Sequence, residues 1–296
     1  MIRAATAGRV RTALITGATS GIGRETALVL ARDGFHVVIV GRRIVETAET
    51  AQWLVDQTGN QEIEFIVADL TSQADVRRVA REFQATHQRL DVLINNAGGV
   101  FPEWELTVDG IERTWALNHI APMLLSLALI GVLEMSAPSR IVNVASSSHS
   151  NGRIDLGNQH AREAFNMNAY SNAKLANVMA TYALSRRLNG TGITVNCLHP
   201  GVVATSFGRN AGGWISALST LAKPFLLTPR AGAATSIYVA SAPELERVTG
   251  RYFAKSLARK SSPASYDLAL QEELWQTSLS EIGVDDLSVN AETHMS

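Results

Sequence analysis

A single cysteine, Cys197, stands in the 296-residue chain. It excludes an internal disulfide framework and fits a reducing compartment. Charge of one sign is lacking too: 26 Lys and Arg against 27 Asp and Glu leave a net charge of -1. That excludes the basic excess with which proteins track nucleic-acid phosphates, so no nucleic-acid partner is expected. No long hydrophobic run occurs. The most apolar stretch, residues 121–133, is about 13 residues long where a bilayer span needs ~20. It reads as a buried core or interface helix. Residues 1–11 are slightly basic and have no apolar centre like that of a signal peptide. These absences together lead us to expect a cytoplasmic protein without a transmembrane segment. No group of His, Cys, Asp and Glu has metal-ligand spacing, so no metal is expected. Repeats, low-complexity tracts and linkers are also missing.

What is present is alternation. Short β-rich apolar runs at 12–16, 36–40, 63–67, 91–94, 140–144 and 193–198 are separated by helical patterns, and 251–253 is a candidate seventh strand. Most of these runs are apolar on both faces, as a parallel sheet covered by helices requires. Helical segments are expected at 22–33, stopped by Gly34, at 72–88, and at 168–189, stopped by Gly190. Strands spaced by helices imply right-handed crossovers and an α/β, doubly wound parallel sheet. The whole chain, 1–296, reads as one domain, with a polar tail after about Asp285.

The segment Thr16-Gly-Ala-Thr-Ser-Gly-Ile-Gly23 leaves the first strand and opens the first helix. Gly17, Gly21 and Gly23 permit a tight turn and close approach of backbone to ligand. The helix N-terminus offers N–H groups and positive potential to a pyrophosphate, which makes Thr19, Ser20 and Ile22 candidate contacts as well. In this strand–turn–helix context the glycines signal a Rossmann-type dinucleotide site. Their spacing resembles the cofactor loop of the short-chain dehydrogenase/reductase family, and the resemblance covers roughly residues 11–255.

A carboxylate at the end of the second strand would favour a free ribose hydroxyl and repel a 2′-phosphate; arginine does the reverse. The chain reads Val40-Gly-Arg-Arg43 there. Arg42, with Arg43 beside it, therefore points to NADP(H) over NAD(H). The alternative is that both arginines sit at a solvated helix start. The resemblance implies an adenine contact at Asp69 and Leu70, though Asp69 could equally begin a turn. It also implies a cofactor role for Asn95, Ala97 and Gly98, with a purely structural role for the Asn95 side chain equally open. After the sixth strand, His199-Pro-Gly-Val-Val-Ala-Thr205 resembles the segment contacting the nicotinamide, with Pro200, Gly201, Val203 and Thr205 as candidates.

Tyr170-Ser-Asn-Ala-Lys174 places Tyr and Lys on one helical face. A free tyrosine, with a pKa of about 10, is a poor base at neutral pH, and a nearby ammonium favours its phenolate. Tyr170 could then act as the acid/base on an alcohol or carbonyl oxygen. The pattern alone is weak and gains weight from its neighbours. Residues 141–146 resemble the family's fifth strand, ending at a serine that polarises the substrate oxygen. The match falls on Ser146, with Ser147 and Ser148 as alternatives. Asn118, in Trp115-Ala-Leu-Asn-His-Ile120, matches the asparagine that supports a proton relay through Lys174. The adjacent His119 reads as structural.

From Ser146 to Tyr170 the chain advances 24 residues, longer than in many members. This polar insertion, with 174–178, 199–201 and 250–253, resembles the retinol-dehydrogenase-like branch. That branch handles hydrophobic carbonyl compounds, and many of its members carry a membrane anchor, which we do not expect in this chain. Residues 207–227 contain glycines and many large apolar side chains and read as a lid over an apolar pocket, or as an ordinary packed helix or oligomer contact. The expectation is a carbonyl reductase or alcohol dehydrogenase, with homo-oligomerisation implied by the resemblance. The rival is a non-catalytic NAD(P)-binding sensor on the same fold, which would not need Asn118, Ser146, Tyr170 and Lys174 together.

Overall fold

Alternation along β1 (Thr12–Thr16) shows how one strand serves two cores. Ala13 and Ile15 join one buried cluster, Leu14 the other, and all three are inaccessible to solvent. In β2 (His36–Gly41), Val37 and Ile39 oppose Val38 and Val40 in the same way. Successive side chains leave a strand on opposite faces, so both faces must be covered. The computed structural model describes residues 10–158, 160, 162, 165, 168–201 and 227–286. In it β3 (Ile63–Val67), β4 (Val92–Asn95), β5 (Ser139–Val144), β6 (Ile193–His199), β7 (Tyr252–Ala254) and β8 (Leu257–Arg259) complete one sheet of order β3-β2-β1-β4-β5-β6-β7-β8. Pairings from β3 to β7 are parallel, and β8 returns antiparallel to β7.

The doubly wound α/β sheet expected from the sequence is present. One face carries α1 (Gly21–Arg32), α2 (Ile44–Thr58) and α7 (Pro229–Ser241); the other carries α3 (Gln73–Thr86), α4 (Ala121–Ala128), α6 (Ala169–Arg187) and α8 (Leu268–Ile282), with α5 (Ile130–Met135) beside α4. The apolar stretch at 121–133 is spent inside the chain: Leu124, Leu125, Leu129 and Leu133 are all buried. Among the described residues no helix is long and apolar enough to cross a membrane.

Three features differ from expectation. β3 is not apolar on both faces; it is the sheet edge, where Glu64 and Phe65 face solvent. β8 has no apolar pattern, since all three of its residues are exposed. The packed core also runs past residue 255, because Leu274, Trp275, Leu279 and Ile282 of α8 join the cluster beneath α6. The strand order reverses between β1 and β4. The crevice beyond the C-terminal ends of those two strands is where such sheets bind ligands.

Candidate active site

The loop between β1 and α1 is built for close approach. Gly17 turns at φ +64, and a Cβ there would lie 2.8 Å from Ala97 Cα. At Gly23 a Cβ would stand 2.4 Å from Asn96 Nδ2 and 2.6 Å from the Gly17 carbonyl. Ser20 precedes α1 in extended conformation without capping it through its side chain, which leaves the helix N-terminus to serve a ligand. Asn96 holds the loop shut from below, donating to the carbonyls of Thr16 (2.8 Å) and Gly17 (3.0 Å). In return Thr16 Oγ1 accepts the backbone N–H groups of Asn96 and Ala97.

A cavity of about 550 Å³ opens over this loop. Gly17, Thr19, Ser20, Gly21, Ile22 and Gly23 line one wall, Arg42, Asp69 and Leu70 a second, Ala97 and Gly98 the floor. Ser146, Tyr170, Lys174, Pro200 and Gly201 also line it. From β2 to β5 the site crosses three strand spacings, about 14 Å, a span that suits a dinucleotide better than a mononucleotide. The glycine cradle, the uncapped helix and the cavity's length all fit a nicotinamide dinucleotide.

At the β5 end, Ser146 starts a short 3₁₀ turn and its Oγ accepts from Ser148 N at 3.2 Å. Its hydroxyl hydrogen-bonds Tyr170, which is half-buried at the start of α6. Burial raises the Tyr170 pKa above that of a free phenol, and the Ser146 hydrogen bond partly opposes this. Lys174 is 3% exposed and donates to the Val144 carbonyl at 2.9 Å. Burial pushes its ammonium down to about 7. The sequence led us to expect the Lys174 charge to depress Tyr170. In the chain itself desolvation dominates both groups, and Nζ lies 5.7 Å from the Tyr170 ring centroid.

Asn118 sits in a π-helical turn, Ala116–Ile120, just before α4. Pro122 has no N–H to give the Asn118 carbonyl four residues earlier. That carbonyl instead accepts Asn177 Nδ2 from α6 at 2.9 Å. The Asn118 side chain is fully buried and grips Gly99, accepting its N–H at 3.2 Å and donating to its carbonyl at 2.9 Å. A Cβ on Gly98 would meet Asn118 Oδ1 at 2.9 Å and Lys174 Nζ at 3.2 Å, so the amide and the ammonium flank one backbone position.

The short chain dehydrogenase profile matches residues 11–215. The chain belongs to the short chain dehydrogenase family. Mouse retinol dehydrogenase 14 is 38% identical to it over 93% of this chain and 86% of its own length. A Mycobacterium paratuberculosis crystal structure is 28% identical, with a TM-score of 0.74 over 93% of this chain and 94% of that one. The Pseudomonas aeruginosa RhlG/NADP active-site complex is 27% identical, with a TM-score of 0.66 over 82% and 93%. Membership makes this protein an oxidoreductase acting on alcohol or carbonyl groups with an NAD(P) cofactor.

Within this dehydrogenase, three of the described candidates do not line the cavity: Asn118, buried behind Gly98 and Gly99, and Asn95 and Arg43. Asn95 is 3% exposed and donates to Asn143 Oδ1 at 2.8 Å and Ser126 Oγ at 3.0 Å, so its side chain ties β4 to β5 and α4. Arg43 pairs with Glu46 at 2.6 Å and does not line the cavity; Arg42 does. Asp69 lines it while its Oδ1 also accepts from Thr71 N and Oγ1, so contact and turn coexist. Val203, Thr205 and residues 207–226 lie outside the described residues. Of the expected lid, Leu227 is described, and a Cβ on Gly201 would fall 2.5 Å from its Cδ1.

Sequence reasoning missed Asn96 and His149. His149 Nδ1 donates to the Ser146 carbonyl at 2.6 Å while Nε2 accepts Ser262 N at 3.0 Å. It thereby fixes the Ser146 turn to the segment before α8. The insertion is anchored as well: His160 Nε2 meets Glu281 Oε1 at 2.8 Å, and its carbonyl accepts Trp104 Nε1 at 3.1 Å.

His119, expected to be structural, bonds Ser278 Oγ at 2.7 Å, and burial pushes its pKa down to about 4. Below the free value of about 6.5 the unfolded chain takes a proton that the folded chain refuses, so stability falls as pH drops from 6.5 toward 4. Urea unfolding at pH 7.5 and 5 should show wild type losing about 2 kcal/mol more than His119→Gln. Equal losses would mean that His119 is protonated in the fold.

Proposed function

We propose that this enzyme interconverts an alcohol with a ketone or aldehyde using NADP(H), on a hydrophobic substrate, with Tyr170 as acid and base. The observation that carries the reading is the convergence of Ser146, Tyr170 and Lys174 on the same cavity that Arg42 borders. NADP(H) supplies a hydride to the substrate carbon or accepts one from it. The chain supplies the rest. The Ser146 hydroxyl donates to the substrate oxygen and polarises it. Tyr170, kept neutral by burial, gives its proton to that oxygen as negative charge develops there. In the oxidative direction Tyr170 receives the proton, and the Ser146 hydrogen bond and a protonated Lys174 both favour the phenolate. Asn118 acts by holding Gly99 and the ground beside Lys174. Val100, Phe101 and Leu117 give the cavity an apolar wall suited to a hydrophobic substrate, and the likeness to a protein named retinol dehydrogenase 14 supports the same substrate class.

Arg42 is exposed at the cavity rim, free to meet a 2′-phosphate. Fluorescence titration should show NADPH binding at least about tenfold tighter than NADH, with Arg42→Asp erasing or inverting the ratio. An unchanged ratio in the variant would remove Arg42 from the phosphate site. Failure of wild type to bind either nucleotide would overturn the whole proposal.

A further inference from the structure

Spacing along the chain shows no metal-ligand cluster, yet the fold assembles one from three distant segments. His36 opens β2, Glu64 lies on the edge strand β3, and His87 follows the last turn of α3. Their ligating atoms converge: His36 Nε2 to Glu64 Oε1 is 3.0 Å, His36 Nε2 to His87 Nε2 is 3.4 Å, and His87 Nε2 to Glu64 Oε1 is 3.6 Å. We propose that His36, Glu64 and His87 form a zinc site.

The triangle has the size of one face of a zinc tetrahedron. Ligands about 2.05 Å from Zn²⁺ in tetrahedral array stand about 3.35 Å apart, and an ion equidistant from these three atoms would sit about 0.7 Å out of their plane, the tetrahedral value. An octahedral ion of similar radius would demand edges of about 3.0 Å throughout. Two imidazoles and a carboxylate are also donors that zinc accepts. The fourth position would open to solvent past Glu64, whose side chain is 53% exposed.

One tautomer of His87 presents a lone pair to the cluster, as a metal ligand must. His87 Nδ1 lies 2.8 Å from Thr86 Oγ1 and 3.3 Å from the Phe83 carbonyl. A proton on Nδ1 satisfies that carbonyl and leaves Nε2 as a lone pair facing the cluster. Glu64 brings a second lone pair. In that tautomer a single proton on His36 Nε2 serves one of the two, whereas a cation serves both. Such a hydrogen bond from the far ring nitrogen to a carbonyl is also what orients metal-ligating histidines. The His87 ring is packed in place, stacked on Phe83 at 4.5 Å with the planes 8° apart. On the far side of His36, Glu62 Oε2 stands 3.8 Å from Nδ1.

The site lies at the opposite end of β2 from Arg42, a strand of six residues and roughly 20 Å. Its ion would clip the sheet's edge strand to α3 rather than join the redox chemistry. The test is Zn²⁺ titration of tag-free, chelator-stripped protein by calorimetry, with a parallel Co²⁺ titration read in the visible. Wild type should take one Zn²⁺ per chain, melt higher as Zn²⁺ rises, and give the intense bands of four-coordinate Co²⁺. His87→Gln and the surface change Glu64→Gln should each weaken uptake at least about 100-fold, while NADPH binding, unchanged, shows that the variants are folded. Absence of saturable uptake by wild type would overturn the proposal. So would one-to-one uptake that survives both substitutions.

Discussion

Tyr170→Phe is expected to lower kcat/KM for reduction of a hydrophobic ketone by about 10²- to 10⁴-fold, the range for removing a positioned general acid. NADPH affinity should hardly move, because the ring stays and only the hydroxyl goes. Ser146 and Tyr170 both line the cavity and share a hydrogen bond. Phe keeps the packing at the start of α6 and leaves Ser146 able to polarise the substrate oxygen, but nothing at that place can then deliver a proton. The direction of catalysis adds a second signature. Burial raises the Tyr170 pKa, so the neutral acid needed for reduction is at hand at neutral pH, and oxidation should gain more as pH rises. Steady-state kinetics in both directions, with nucleotide titration alongside, checks this. A variant within about tenfold of wild type would move the acid elsewhere.

Much of this was legible because the phosphate loop and the Tyr–Lys pair are local. Gly17, Gly21 and Gly23 signal a backbone geometry within eight residues, and Tyr170 and Lys174 sit one helical turn apart. Parity was harder. In Asn95-Asn96 one amide must face the sheet and one the loop, since a strand turns successive side chains to opposite faces. Only the assembled sheet shows that Asn95 joins Asn143 and that Asn96 closes the phosphate loop. Arg42 and Arg43 pose the same problem: Arg42 borders the cavity, while Arg43 pairs with Glu46 at the surface. His149, α8 and the His36–Glu64–His87 group carried no usable signal, because their partners are contributed by segments far along the chain. Burial was the other thing sequence could not show: proximity to Lys174 points to a depressed Tyr170, while in the chain alone desolvation pushes Tyr170 up and Lys174 down.

Lys174→Met should therefore do two opposite things. Activity should fall by about 100-fold or more, because the group that stabilises a developing phenolate is gone. Stability near pH 6 should rise. In the unfolded chain a lysine holds its proton up to about pH 10.4, while the buried ammonium releases it near 7. Between those values the unfolded state binds more protons, so this residue makes the protein more stable as pH climbs, and below 7 the fold bears the whole cost of a buried charge. Met fills a similar volume without that charge, at the loss of the hydrogen bond to the Val144 carbonyl. The gain at pH 6 should be on the order of a few kcal/mol and should shrink or reverse above about pH 10. Denaturant melts of both proteins at pH 6, 8 and 10 test the crossing. Parallel curves would show that Lys174 keeps an ordinary pKa in the fold. The neutral form would then be unavailable at physiological pH, leaving Lys174 a permanent positive charge beside Tyr170.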